Sequence, residues 1–303
     1  MKLSKTLKFT VIVLLGCVGI TVFAADSVTK ESHKQIVTIG IWDQDVHSYE
    51  NDAGQSIDKV VDYVEPTFQF NSGKWSVLED HLEPQTWTIA FDGKSLGTCK
   101  SKESDHQIFK EYFNLHEVLG KIPHPDKAKK ASWNQHPYRP LVLVSQPNYK
   151  DPSNWKPSQL KPEILKLVQA GFHKKYPTAN NCKKSEQDLK KQAEAYRDSD
   201  IKIKKVYGSK DGEFLVEVAL EKWGCDGIND DPFELQWFGV SSKGEVKFMS
   251  IRLTMIDAGD YDNNGKSELI FEDDSGGDND NSGSYSIWDS NFNLLAKRVR
   301  LVH

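Results

Sequence analysis

From Ile201 onward, apolar residues return at every second position in short runs. The runs are "IKIKKVY", "EFLVEVALEKW", "FELQWFGV", "EVKFMSIRL", "LTMID", "SELIF", "SYSIWDS" and "NLLAKRVRLV". A period of two puts alternate side chains on opposite faces of an extended backbone, so this region must form sheet. Lys210-Asp211-Gly212, Ser242-Lys243-Gly244 and Asp289-Ser290-Asn291 supply hairpin turns between runs. Eight strands in about a hundred residues amount to two propeller blades or one β-sandwich.

The same signal marks residues 35 to about 100. "QIVTIGIW" is β-branched, "KVVDYVEPTFQF" alternates with Pro66 as a break, and "KWSVL", "TWTIAFD" and "GKSLGTC" follow. Gly73-Lys74 and Asp92-Gly93-Lys94 mark hairpins. "IWDQDVHSYEND" reads as a solvated loop after the first strand. "HQIFKEYFNLHEVLGKI" predicts a short helix and "PLVLVSQ" a buried strand, with a turn-rich stretch of Pro, His and Lys between them. His116, His124 and His136 match no metal-ligand spacing and read as scattered surface histidines.

The clearest helix is "KPEILKLVQAGFHKKYP". Pro162 suits the first helical position and Glu163 the first turn. Ile164, Leu165, Val168 and Phe172 share one face, His173, Lys174 and Lys175 meet the negative end, and Pro177 stops it. "SEQDLKKQAEAYRD" predicts a second, solvated helix. The expected class is mainly β with a helical insertion (α+β), built of antiparallel sheets. The expected regions are 1–25 signal, 26–160 β-rich with irregular segments, 161–198 helical connector and 199–303 C-terminal β.

Lys2, Lys5 and Lys8 precede the apolar run "FTVIVLLGCVGITVFA", which ends near Ala24-Ala25: the pattern of a secretory signal peptide. "LLGC" ending at Cys17 approximates a lipobox, but the apolar run continues past it to Phe23. The run is shorter than the ~20 residues of a spanning helix, so no span is expected after cleavage. Removing the segment takes away three lysines and no acids, moving the net charge from −5 to −8. Phosphate binding needs basic surface, so nucleic acid is not the expected partner. An exported chain favours disulfides. Of Cys99, Cys182 and Cys225, the expected pair is Cys182–Cys225 with Cys99 free.

The densest chemistry lies in "MIDAGDYDNNGKSELIF". Between Asp257 and Asn281 there are nine carboxylates against one cation, Lys266. Such a cluster repels itself unless it is solvated or holds a cation. Counting from Asp260, side-chain oxygens stand at places one, three, five and nine: Asp260, Asp262, Asn264 and Glu268. Gly265 is sixth and Lys266 offers a backbone carbonyl at the seventh. Ca²⁺ takes six to eight oxygens at about 2.3–2.6 Å. A twelve-residue helix-loop-helix calcium loop does not fit: its final ligand would fall on Phe271, and both flanks read as strand. The later "EDDSGGDNDNSG" reads as a solvated hairpin loop.

"DYDNNGKSE" resembles the calcium loop of FG-GAP/VCBS-type repeats, whose pattern is D-x-D-x-[DN]-G-x-x-[DE] between two strands. The resemblance covers about fifteen residues in a single copy. It implies that Asp260, Asp262, Asn264 and Glu268 are side-chain ligands and that Lys266 is a carbonyl ligand. Asn264 and Glu268 replace the commoner Asp, and both keep an oxygen.

Among function classes, the sequence favours an exported, calcium-stabilised binding or structural protein of the cell envelope, periplasmic or secreted, with a protein or glycan partner. The alternative is a secreted hydrolase acting on carbohydrate, since acids and tryptophans suit that chemistry. HExxH and a P-loop are absent; Gly93-Lys94-Ser95-Leu96-Gly97 has the GxSxG spacing but falls in an expected hairpin rather than a strand-to-helix elbow. N-terminal sequencing of material from the native host is expected to start near Ala25 or Asp26. A start at Met1 removes the export reading, and a lipid on Cys17 replaces it with a lipoprotein.

Overall fold

The computed structural model describes residues 36–50, 56–78, 82–104, 115–120, 122–123, 140–180, 193–220, 235–273 and 284–299; at 43–50 and 56–61 it describes the backbone alone. The first seven strands are β1 (Val37–Glu50), β2 (Ser56–Asn71), β3 (Lys74–Val77), β4 (Thr86–Phe91), β5 (Lys94–Glu103), β6 (His116–Leu119) and β7 (Leu141–Val144). They pair antiparallel in the order β1-β7-β4-β5-β6-β2-β3, and β1 also pairs with β2, so six of them close into a barrel with β3 attached to β2.

Closure removes sheet edges, and the two-residue period then sorts side chains into an inside and an outside. Trp42, Val64, Trp87, Ile89, Phe91, Leu141 and Leu143 share the core that also takes in Cys99 and Ile122. Their strand neighbours Val37, Ile39, Ile41, Ala90, Val142 and Val144 point the other way, into a second core.

That second core is completed by the C-terminal sheet. It is a meander of β15 (Leu253–Gly259), β16 (Glu268–Asp273), β17 (Ser284–Trp288) and β18 (Leu294–Val299), in that order. One of its faces gives Ile256, Ile270, Tyr285 and Ile287 to the barrel wall. The other gives Leu269, Phe271 and Trp288 to a third core, shared with Leu215, Trp237 and Met249 of another sheet. This middle sheet holds β11 (Ile201–Gly208), β12 (Phe214–Leu220), β13 (Gln236–Val240) and β14 (Val246–Ile251), with the two-residue β8 (Lys156–Pro157) beside β11. Its far face carries Val216, Val218, Phe238 and Val240 against Val168 and Phe172 of helix α1 (Pro162–Lys175). The order of layers is therefore helix, middle sheet, C-terminal sheet, barrel. β12 and β13 are buried along their whole lengths because both faces are covered. The Trp237 indole donates to the Leu253 carbonyl at 2.7 Å, tying the two sheets together. A Cβ on Gly239 would lie 2.2 Å from the Phe292 ring, so only glycine lets that ring seat on the middle sheet.

The helix begins and ends as its sequence predicts, with Pro162 at its start and His173, Lys174 and Lys175 in its last turn. Ser72-Gly73 and Asp92-Gly93 both have positive φ, the geometry of two-residue hairpin turns. Four expectations change. Asp43–Glu50 is not loop: it continues β1, paired with β2 down to Glu50↔Ser56. Pro66 does not break β2, because the register shifts there: Gly40 faces Pro66, Ile39 faces Phe68, and the extra residue Thr67 absorbs the irregularity. His116–Leu119 is strand, not helix, and His116 is buried rather than on the surface, its Nδ1 3.4 Å from Ser101 Oγ. The second predicted helix fails in its described part, where Ala193–Glu194 (β10) pairs with Ala179–Asn180 (β9) and Asp198–Asp200 is one 3₁₀ turn. The signal segment, Cys182, Cys225, His124, His136, residues 185–192 and most of the 272–283 loop lie outside the described residues. Cys99 is a free, buried thiol on β5, and burial pushes it up to about 11. Among the described residues no helix is long and apolar enough to cross a membrane.

One guanidinium fastens the C-terminal sheet to the barrel. Arg298 Nε lies 3.0 Å from buried Glu65 Oε1, and its Nη1 donates to the carbonyls of Pro66 (2.9 Å) and Leu78 (2.8 Å). Removing one member of a buried ion pair leaves the other desolvated, at a cost of about 3–5 kcal/mol. Arg298→Met is therefore expected to lower unfolding free energy by about that amount in denaturant titrations. Adding Glu65→Gln to it should recover part of the loss; a double variant no better than the single would remove the pair from this account.

Candidate metal centre

β15 ends at Gly259 and β16 starts at Glu268, so the acidic stretch is the turn between paired strands, with Gly259 opposite Glu268. Two residues reverse the backbone with positive φ: Asn263 (60°) and Gly265 (85°). Asn tolerates this left-handed geometry better than most residues, and Gly adopts it freely. The turn then folds its amides onto its own acids. Asp260 accepts from the N–H of Asn264 and of Gly265, both at 2.8 Å. Asp262 accepts from the Asn264 backbone at 3.1 Å and from its side-chain amide at 2.9 Å. Glu268 accepts from the Tyr261 N–H at 2.9 Å.

This curl brings together three of the residues singled out by spacing. Asp260, Asp262 and Glu268 each offer a carboxylate oxygen, all within 4.8 Å of one another, a group that could hold a metal ion. Asn264 sits in the same turn, with its amide oxygen accepting from the Lys266 N–H at 2.8 Å. Asp260 and Glu268 are buried, Asp262 is half-buried, and Asn264 and Lys266 are exposed. Burial, and then the charge of Asp262, push the Glu268 carboxyl up from 4.5 to about 8. Asp262 is raised as well, again chiefly by burial.

A third buried acid, Asp257, lies beneath the turn. Asp257 accepts from the Tyr149 hydroxyl, from the Tyr261 hydroxyl at 2.9 Å and from the Gly93 N–H at 3.1 Å. The two tyrosine rings stack with centroids 5.3 Å apart, and burial holds both hydroxyls well above the usual phenol range. A Cβ on Gly259 would stand 2.1 Å from the Tyr149 ring, so the pair needs glycine there. Sequence spacing found Asp260, Asp262 and Glu268. It missed Tyr149, which lies more than a hundred residues upstream and carries no local signal. No family model matches this chain, and no curated protein or solved structure matches it either.

The raised Glu268 gives a pH dependence with a definite sign. Without a cation the folded chain keeps a proton on Glu268 that the unfolded chain releases above about 4.5. That contribution is fully present below the unfolded value and is lost as pH rises through about 8. In chelator, the melting temperature of the wild type is expected to fall by several degrees between pH 5.5 and 8.5. Glu268→Gln should flatten that slope. Equal slopes for both proteins would show that Glu268 does not carry it.

Proposed function

We propose that this is an exported, β-rich binding or structural protein of the cell envelope, and that its β15–β16 turn holds one structural Ca²⁺. The observation behind the ion is the convergence of Asp260, Asp262 and Glu268 within 4.8 Å at a hairpin end. Hard oxygen donors, two of them buried, suit a hard cation. In this reading Asn264 turns its amide oxygen inward, the Lys266 carbonyl completes the protein ligands, and the ion takes the place of the Glu268 proton.

The role is structural because the turn bridges layers. Its residues reach the chain between barrel and helix as well as their own sheet. Export rests on the basic and apolar opening of the sequence. The stacking of two four-stranded meanders, β11–β14 and β15–β18, supports a blade-like or sandwich-like C-terminal half. The proposed partner is a protein or glycan of the envelope.

Extracellular calcium sites bind with Kd around 10⁻⁴–10⁻³ M. At about 1 mM calcium this gives roughly 0.4–1.4 kcal/mol of stabilisation, a rise of a few degrees in melting temperature. Magnesium should do much less, because it demands a tighter octahedron and dehydrates reluctantly. Asp262→Ala is expected to abolish the calcium-dependent rise. A wild-type melt unchanged by calcium up to about 10 mM, well above that Kd range, would reduce the turn to an acidic hairpin without an ion.

A further inference from the structure

Residues 145–155 have no ladder of their own, yet their polar groups reach all three sheets. On the barrel side, Ser145 N–H donates to the Thr38 carbonyl at 3.0 Å, and Thr88 Oγ1 donates to the Gln146 carbonyl at 2.7 Å. Asp151 N–H donates to the Gly93 carbonyl at 2.9 Å. On the side of the C-terminal sheet, Gln146 Nε2 donates to the Asp260 carbonyl at 2.7 Å, and Asp260 N–H donates to the Lys150 carbonyl at 2.9 Å. Ser267 Oγ donates to Asp151 Oδ1 and accepts from the Ser153 N–H at 3.1 Å. On the side of the middle sheet, Lys210 N–H of the β11–β12 turn donates to the Ser153 carbonyl at 2.8 Å. Two buried rings anchor the segment: Tyr149, against Gly259 and Asp257, in the core beneath the barrel wall, and Trp155 in the core between the two C-terminal sheets.

We propose that residues 145–155 are a latch closing the barrel onto the two C-terminal sheets, and that the 260–267 turn is the catch that holds it shut. The contacts divide the labour within single residues. The Asp260 carboxylate faces its own turn, while its N–H and carbonyl hold the strap. Ser267, next to Glu268, bonds to both Asp151 and Ser153. Any rearrangement of the turn therefore moves the atoms to which the strap is fastened. Because Gly93 donates to Asp257 and accepts from Asp151, the barrel turn is held from both ends of the same network. Segments linked this way open as one cooperative unit. That calcium tightens the catch rests on the ion reading above; that the turn holds the strap does not.

Amide-resolved hydrogen exchange on the full-length protein tests this. Ser267→Ala removes one hydroxyl and should speed exchange about tenfold at Ser153 and, by cooperative opening, at Asp151, Gly93 and Lys210. Ser241, whose N–H bonds within the distant β13–β14 turn, should be unchanged and reports that the fold is intact. Gln146→Met should give the same pattern from the other contact. A rise confined to Ser153 in the first variant, or no rise at Gly93 in either, overturns the latch. In the wild type, calcium chloride should slow Asp151, Ser153 and Gly93 together with Asn264 and Gly265. Slowing at Asn264 and Gly265 alone would leave the ion in place and refute its control of the strap. No slowing and no heat of binding would refute the ion, and the two variants would still decide the latch.

Discussion

Three carboxylates are buried at the turn end of the β15–β16 hairpin: Asp257, Asp260 and Glu268. A buried charge survives only with hydrogen bonds or an opposite charge to replace water. Asp257 is met by two tyrosine hydroxyls and a backbone amide, and Asp260 by two backbone amides of its own turn. Glu268 also receives a backbone amide, yet it faces the charges of Asp262 and Asp260 and holds its proton to about pH 8. Its site is the one place in this network where positive charge is in demand. A cation there would complete what the hydrogen bonds begin, and that demand underlies the calcium proposal.

The rest of the architecture explains why this spot was worth burying. Four layers are packed through three cores, and the C-terminal sheet lies between the barrel and the middle sheet. The end of its first hairpin is where all three β layers come within hydrogen-bonding reach, through Gly93 of the barrel, Lys210 of the middle sheet and the segment 145–155. At the opposite strand of the same sheet, Arg298 fastens β18 to Glu65, Pro66 and Leu78. The sheet is thus tied to the barrel at both edges by polar contacts, with apolar burial between them.

The C-terminal strands were legible because each is bounded by a local turn and carries a period of two over five residues or more. "FLVEVAL" departs from strict alternation because helix and sheet cover both faces of β12. The barrel was not legible, because its closing contacts are not local: Ile39 meets Val144, more than a hundred residues on. The acids at Asp43, Asp45 and Glu50 made a paired strand read as loop, and Pro66 read as a break because a bulge leaves no trace in composition. His116 misled for a related reason, since the apolar spacing around it fits a helix as well as a strand. At the site, the spacing of Asp260, Asp262 and Glu268 was enough to bring them together. Gln146, Tyr149 and Asp151 could not be foreseen, since their relation to the turn is created by packing.

Crystallography can look for one calcium ion among these acids directly. Crystals grown in calcium and measured at long wavelength should show a single anomalous peak at the β15–β16 turn. Oxygens of Asp260, Asp262, Asn264 and Glu268, and the Lys266 carbonyl, are expected at about 2.3–2.6 Å from it. A map without a peak there, with the Asn264 amide still bonded to the Lys266 N–H, would contradict the calcium proposal.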